Sequence, residues 1–360
     1  MASRYDVKTI KKAVENLKHQ DISDVNIKHL YKGVIDDIKI IDTYLSAKDK
    51  IGNIGVRLGF HREDHKVKPG LYAIGSPSEN DNLIVTCNYK LTFDIVRNSL
   101  EGINIWLLLL DTDGVNVWCA AGKGSFGSAE LIYSLEKFNV ERHINHKNII
   151  VPQLGAPGIQ SHLVKEITGF TIKYGPIHIK DLKNYINNGY KTDENIRKVT
   201  FNLFDRLKVS TLELVIGMKY FLIAMISLLI LTFIIPSFNL SRSLKLINHY
   251  FLTLITATIL FPALLPYLPF RMFYKRAFIL GVLFNIIFLV SYNSCSLFSI
   301  GNSIISVVLI SYIGLNFTGS STFTSLSGVK KEMNEAVPIL SILGILSIFV
   351  IVIALLLEVF

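Results

Sequence analysis

Two patterns of apolar residues divide the chain near residue 200. Before it, short apolar blocks alternate with amphipathic ones. LIVTCNY (83–89), INIWLLLLD (103–111) and NIIVPQ (148–153) are apolar runs of the kind formed by strands buried on both faces, and FTIKYGP (170–176) reads as a further strand. Between and after them lie helical patterns: KLTFDIVRNSLEG ending at Gly102, SAELIYSLEKF with Ser128 placed to cap it, GIQSHLVKEITG closed by Gly169, and IKDLKNYINNG closed by Gly189. A βαβα order with such strands predicts an α/β domain whose mostly parallel sheet is covered by helices on both faces. Open sheets of this kind bind ligands beyond the carboxyl ends of their strands. Those ends are TCNYK (86–90), DTDGVNVWCAAGKG (111–124), PQLGAPG (152–158) and KYGP (173–176), four loops that together frame one site.

After residue 200 the apolar runs reach the roughly 20 residues that a bilayer-spanning helix needs. Five are evident, at 213–235, 246–268, 276–293, 296–317 and 337–357, the last (VPILSILGILSIFVIVIALLL) without a charge. The second half is therefore read as an all-α transmembrane domain of five helices. Arg271, Lys275 and Arg276 lie between spans two and three, and Lys330 and Lys331 between four and five, whereas Arg242 and Lys245 after span one are a mild contrary signal. Basic short loops stay in the cytoplasm, so the N-terminal half is expected there, in a multi-pass protein of the inner (cytoplasmic) membrane with Phe360 outside. The first twenty residues carry charges throughout and do not read as a signal peptide. The resulting division is 1–55, a lysine-rich N-terminal helical extension (DVKTIKKAVENLKHQ, 6–20); 56–205, the α/β domain; and 206–360, the membrane domain.

Half of the 360 residues are hydrophobic and the net charge is +9. In a membrane protein this charge fits attraction to anionic lipid, and no cluster of aromatic and basic residues points to nucleic acid. Cys87, Cys119 and Cys295 are too few and too scattered for a disulfide framework, a CxxC metal site or an iron–sulfur cluster.

Chemistry concentrates in the second loop, where Cys119 follows a tryptophan and precedes small residues. GKGSFG (122–127) matches G-x-G-x-x-G, but Gly122 comes eleven positions after Asp111, too late for a dinucleotide fingerprint. A P-loop is excluded by Val117 and Gly124. A cysteine nucleophile would need a histidine base, and His143, His146 and His162 all lie off the strand-end loops. A buried cysteine packing as a small hydrophobe is the structural alternative. The remaining reading is a single thiolate ligand to a metal whose other ligands come from a cofactor, since no His, Cys or carboxylate cluster lies near. A short helix beginning near Val117 would present the thiol in its first turn, and small residues at 120, 121, 122 and 124 would let the backbone lie against a flat ring.

NVWCAAGKGSFG (116–127) resembles the cap-helix signature N-[VI]-W-C-A-[AG]-G-K of the HgcA family, membrane-anchored corrinoid proteins of microbial mercury methylation whose soluble domain is related to the corrinoid iron–sulfur protein of the acetyl-CoA pathway. KVKPGLYAIG (66–75), TCNYKLTFD (86–94), PQLGAPG (152–158), YGPIHIKDL (174–182) and GSSTFTSLSGVKKEM (319–333) resemble the same family, which spans about residues 55 to 360; Leu326 stands where Pro is expected.

The resemblance implies a Rossmann-like corrinoid-binding domain and a corrinoid-dependent methyltransferase that passes a methyl group from cobalt to Hg(II). Cys119 is then the axial cobalt ligand, and Asn116, Val117, Trp118, Ala120, Ala121, Gly122 and Lys123 shape the cap. Thr86, Asn88, Tyr89 and the run Gln153, Leu154, Gly155, Ala156 are the implied contacts to the ring. It also implies a two-cluster 4Fe–4S ferredoxin of the HgcB type as reductant, since this chain has no cluster cysteines, and a folate-linked methyl donor. Two alternatives stand beside it: a corrinoid methyltransferase of one-carbon metabolism with another acceptor, and a membrane-anchored α/β binding module without turnover.

Overall fold

A computed structural model describes residues 38–360 apart from 63, 192–196, 198–199, 235–238, 293–294, 322–323, 325 and 360. Most of the N-terminal extension therefore lies outside the described residues. The described chain separates into an α/β unit reaching residue 199 and a helical unit from residue 200, which also takes Arg57–Gly59.

The α/β unit contains β1 (Lys39–Ile41), α1 (Ala47–Arg57), β2 (Gly70–Ile74), β3 (Leu83–Cys87), α2 (Lys90–Ser99), β4 (Ile105–Leu110), α3 (Val117–Lys123), α4 (Ser128–Lys137), β5 (Asn148–Val151), α5 (Ser161–Thr168), β6 (Thr171–Tyr174) and α6 (Leu182–Asn187). The six strands lie in the order β1-β2-β4-β3-β5-β6. β3 pairs in parallel with β4 and β5, and β5 with β6, while β2 runs antiparallel to β4 and β1 parallel to β2. The sheet is thus mostly parallel.

The central strands β3, β4 and β5 are nearly all apolar because successive side chains enter different cores. Leu108 and Leu110 pack with α3, α4 and α5 through Ala120, Leu131 and Val164. Leu107 and Leu109 pack on the other face with Phe93 and Val96 of α2 and Leu182 of α6. Consecutive connections leave β3 toward β4 and then return to β5 on its other side, so the strand order reverses between β3 and β5. At such a reversal the loops diverge and leave a crevice beyond the carboxyl ends.

Two parts of the sheet were not anticipated. β2 is assigned no element from the sequence, since Pro69 and Gly75 bracket a run of only five residues, yet all five are buried. β1 and α1 come from the stretch assigned to the extension, and a buried charge cluster ties them to α2. Asp49 of α1 meets Lys90 at 2.7 Å and Arg97 at 2.8 Å, and Asp94 meets the same two residues at 2.7 and 2.8 Å. Arg97 also donates to the carbonyls of Asp42 and Tyr44, both at 2.7 Å. Burial alone would raise the Asp49 carboxyl, but hydrogen bonds from Lys90 and Ser46 outweigh it and hold the group well below its ordinary range. Ser128 is a further difference: Gly127 is the N-cap of α4, and the Ser128 hydroxyl accepts from Gln160 N at 2.7 Å instead.

The helical unit comprises α7 (Leu203–Ile234), α8 (Leu240–Tyr267), α9 (Phe273–Ser291), α10 (Leu297–Ser320) and α11 (Leu326–Val359). All five are long and apolar enough to cross a membrane. α7 and α11 start earlier than the apolar runs at 213 and 337, since LFDRLKVSTL and LSGVKKEMNE hold no proline and continue the helical hydrogen-bond ladder into polar sequence. α8 is interrupted by a π turn at Thr256–Leu260.

Candidate functional site

The loops after β3, β4 and β5 meet at the reversal point, and the β4 loop carries α3. Its start is fixed by Asn116, whose backbone is extended and whose side-chain oxygen accepts the Cys119 N–H at 2.9 Å. Its end is fixed by Gly124, in the left-handed region at φ 84°. This confirms a short helix beginning at Val117.

The helix has two unlike faces. Val117, Ala120 and Ala121 are buried in the core, whereas Trp118 and Cys119 are half-buried and Gly122 and Lys123 exposed. At 100° per residue, Gly122 falls between Trp118 and Cys119 on the outer face, so no side chain shields the thiol from that direction. Ala120 and Ala121 had been expected to face a ring; the structure turns them inward, onto the turn at Gln153–Gly158. That packing explains two glycines. A Cβ on Gly155 would meet the Phe126 ring at 2.5 Å, and one on Gly158 would meet the Phe126 carbonyl at 2.1 Å and Ala121 Cα at 3.1 Å. Of the glycines that spell the G-x-G-x-x-G match, Gly122 lies in the last turn of α3 and Gly124 and Gly127 bound the α3–α4 connection, so they do not form a strand-to-helix phosphate loop.

Behind α3, Asn88 organises the start of its loop. Its side-chain oxygen accepts from Thr112 N at 3.1 Å and Gly114 N at 3.0 Å, and its amide nitrogen donates to Asp111 at 3.3 Å. Asn88 is 1 % exposed, so it shapes the loop from inside. Thr86 and Tyr89 are likewise buried and belong to the sheet and its first core. Lys66 reinforces the loop from outside through an exposed ion pair with Asp113 at 2.9 Å.

On the β5 side, Leu154 and Ala156 are half-buried and Gly155 buried. Gln153 stands out, because its side-chain oxygen is buried and has no hydrogen-bond partner among the described residues. An unpaired buried acceptor is costly and marks a place where a donor from outside the chain would be stabilising.

Glu130 was not anticipated. It lies in the first turn of α4 and accepts from Asp111 N at 3.2 Å. Burial, joined by the neighbouring Asp111 charge, pushes its carboxyl up to about 7. An acidic residue three positions into a helix was the only sequence signal, and it is the signal of an ordinary helix start.

Two of the histidines offered as bases for Cys119 are held elsewhere. His143 stacks on Trp106 with centroids 5.6 Å apart, and His146 Nε2 lies 2.8 Å from the Asp81 carbonyl, both at the amino ends of β4 and β3. Among the described residues no three His, Cys, Asp or Glu side chains come together to hold a metal ion. Cys87 is buried, and burial pushes its thiol up.

Residues 61–185 match the family described as CO dehydrogenase/acetyl-CoA synthase delta subunit. The chain is 32% identical over 127 residues to the acetyl-CoA decarbonylase/synthase complex subunit gamma of Methanopyrus kandleri, covering 35% of this chain and 27% of that one. It is 35% identical over 115 residues to subunit gamma 1 of the same complex from Methanosarcina thermophila, covering 31% and 24%. It is 30% identical over 113 residues to the corrinoid/iron-sulfur protein large subunit of Moorella thermoacetica, covering 31% and 25%. The chain thus spans about a quarter of the length of these relatives, and the family match runs from before β2 into α6 and includes α3 and all three converging loops. The α/β unit is related to the corrinoid protein of the acetyl-CoA pathway.

Proposed function

We propose that the chain is a membrane-anchored corrinoid methyltransferase of the HgcA type, which passes a methyl group from cobalt to Hg(II) and forms methylmercury, with Cys119 as the axial cobalt ligand. The observation that carries this reading is the outer face of α3: a half-exposed thiol with a glycine beside it, over the reversal point of a sheet related to a corrinoid protein.

The residues fit such a group. A corrin brings four nitrogen ligands of its own, so one thiolate suffices where the chain assembles no further metal ligands. Its peripheral carboxamides supply N–H donors of the kind the unpaired Gln153 oxygen lacks. When bound, the corrinoid supplies the metal that accepts and releases the methyl group. The chain's own residues do the rest. Asn116 fixes the first turn so that the Cys119 thiol holds one direction, and Gly122 leaves that direction open. Trp118 and Lys123 flank it, one apolar and one cationic. Asn88 and the Lys66–Asp113 pair hold the loop that carries the helix, and the glycine-tight turn at Gln153–Gly158 supports it from beneath.

Turnover requires a low-potential electron donor, for which a two-cluster 4Fe–4S ferredoxin is suited, and a folate-linked methyl source. The protein is placed in the inner membrane with its α/β unit in the cytoplasm, where both would be found.

The relatives' names point to a second reading, a one-carbon acceptor other than mercury. Methylmercury formation in a host lacking its own methylation genes separates the two, given the ferredoxin partner. Cys119→Ala and Cys119→Thr are expected to abolish it, and Cys119→His, the one replacement with another cobalt-ligating atom, to retain little. Undiminished methylation by Cys119→Ala would remove the axial-ligand role, and no methylation by the unaltered chain would favour the other acceptor.

A further inference from the structure

At the end of the helical unit where α8 and α10 begin and α9 finishes, the helices part around a cavity of about 310 Å³. Arg242 and Lys245 stand at its lip on α8, and His249, one turn deeper and 3 % exposed, also lines it. Each step is about 5 Å along the helix axis. The Arg242 guanidinium lies 4.1 Å from the ring centroid of Phe298 on α10, which places charge across the opening. Two helix N-termini face the same space: Asn239 caps α8 by accepting from Arg242 N at 2.8 Å, and Ser296 caps α10 by accepting from Ser299 N at 3.2 Å. The partial positive charges of both helix starts add to the two cations.

The floor adds a specific demand. His249 Nε2 lies 2.9 Å from Asn285 Oδ1, and the Asn285 amide nitrogen donates to the Gly281 carbonyl at 2.8 Å and the Ser306 hydroxyl at 3.0 Å. That arrangement leaves Oδ1 as the acceptor and puts the imidazole proton on Nε2. Nδ1 is then an acceptor, and it has no hydrogen-bond partner among the described residues. A polar group of this kind within a membrane bundle is a binding-site feature by default. The cavity therefore offers positive charge at its mouth and a bare acceptor at its base, which calls for an anion that still carries an O–H.

We propose that this cavity binds an anionic phosphate group that brings an O–H donor with it, on phosphorus in hydrogen phosphate or on the glycerol of a glycerol-bearing phospholipid head group, with the anionic oxygens on Arg242 and Lys245 and the O–H donated to His249 Nδ1. The site is separate from the corrinoid reading and stands or falls without it. Sulfate has the same shape and charge but no proton to donate at neutral pH, so it is discriminated against. Loss of one hydrogen bond to a buried acceptor corresponds to about tenfold in affinity.

The full-length protein in detergent micelles is titrated calorimetrically with inorganic phosphate and with sulfate. In parallel it is incubated with vesicles of phosphatidylglycerol or of phosphatidylcholine and examined for retained lipid by native mass spectrometry. Binding of phosphate identifies a soluble ligand, selective retention of phosphatidylglycerol identifies the head group, and either supports the site. The Arg242→Ala/Lys245→Ala double variant leaves the buried His249–Asn285 network intact and is expected to weaken the observed binding at least tenfold. Absence of both ligands from the unaltered protein, sulfate binding as tight as phosphate, or unchanged binding by the double variant would overturn the proposal.

Discussion

Cys119 takes its character from three neighbours that differ in kind. Asn116 satisfies its amide, Ala120 anchors the adjoining turn in the core, and Gly122 withholds a side chain from the face the thiol occupies. Asn88 sits one layer further in. The sequence marks it as a polar residue at a strand end, which fits ligand contact and loop organisation equally; only its four accepted and donated side-chain bonds to 111–114 decide for the latter. Glu130 is the residue whose chemistry sequence conceals most, because its raised pKa arises from burial under a loop nineteen positions away. Its sign is definite. A carboxyl that ionises near 4.5 when unfolded but near 7 when folded supports the fold fully below 4.5, and that support is lost as pH rises to about 7. The difference corresponds to roughly 3 kcal/mol. Glu130→Gln is therefore expected to flatten the fall in denaturant midpoint between pH 4.5 and 7, and an unchanged slope would show that another group is responsible.

Among the elements, β3 to β5 are legible in the sequence because burial on both faces leaves them nearly all apolar, and α3 because Asn116 and Gly124 bracket it. What is not legible is which way α3 turns. Ala120, Ala121 and Gly122 are equally small, and their sorting into core and surface depends on the Gln153–Gly158 turn arriving from more than thirty residues away. β2 escapes because its burial comes from pairing with β4, a partner that a five-residue run between Pro69 and Gly75 does not announce. Gly158→Ala tests the α3 support directly. Its methyl would press on backbone atoms of Phe126 and Ala121, and overpacking of this kind costs about 1–3 kcal/mol. Thermal unfolding of the variant should shift down, and corrinoid should no longer be retained through gel filtration. A variant with unchanged retention would mean that the turn does not position α3.

At the scale of the whole molecule, the five apolar helices stand out in the sequence because lipid admits no charged alternation, whereas their ends do not, since α7 and α11 continue as charged helices beyond the apolar runs. If the α/β unit lies in the cytoplasm, as proposed, three crossings put the loop after α9 on the outer side, and that loop carries the exposed Cys295. A membrane-impermeant maleimide is expected to label intact spheroplasts at Cys295 and to fail with Cys295→Ser; labelling confined to inverted vesicles would reverse the orientation.

The account rests on one bond, between Cys119 and cobalt. Cobalt K-edge X-ray absorption of the corrinoid-loaded full-length protein measures it most directly. A single sulfur neighbour in the cobalt's first shell, absent from Cys119→Ala, is the predicted result. A shell of nitrogen and oxygen alone in the unaltered protein, or a spectrum that the substitution leaves unchanged, would contradict it.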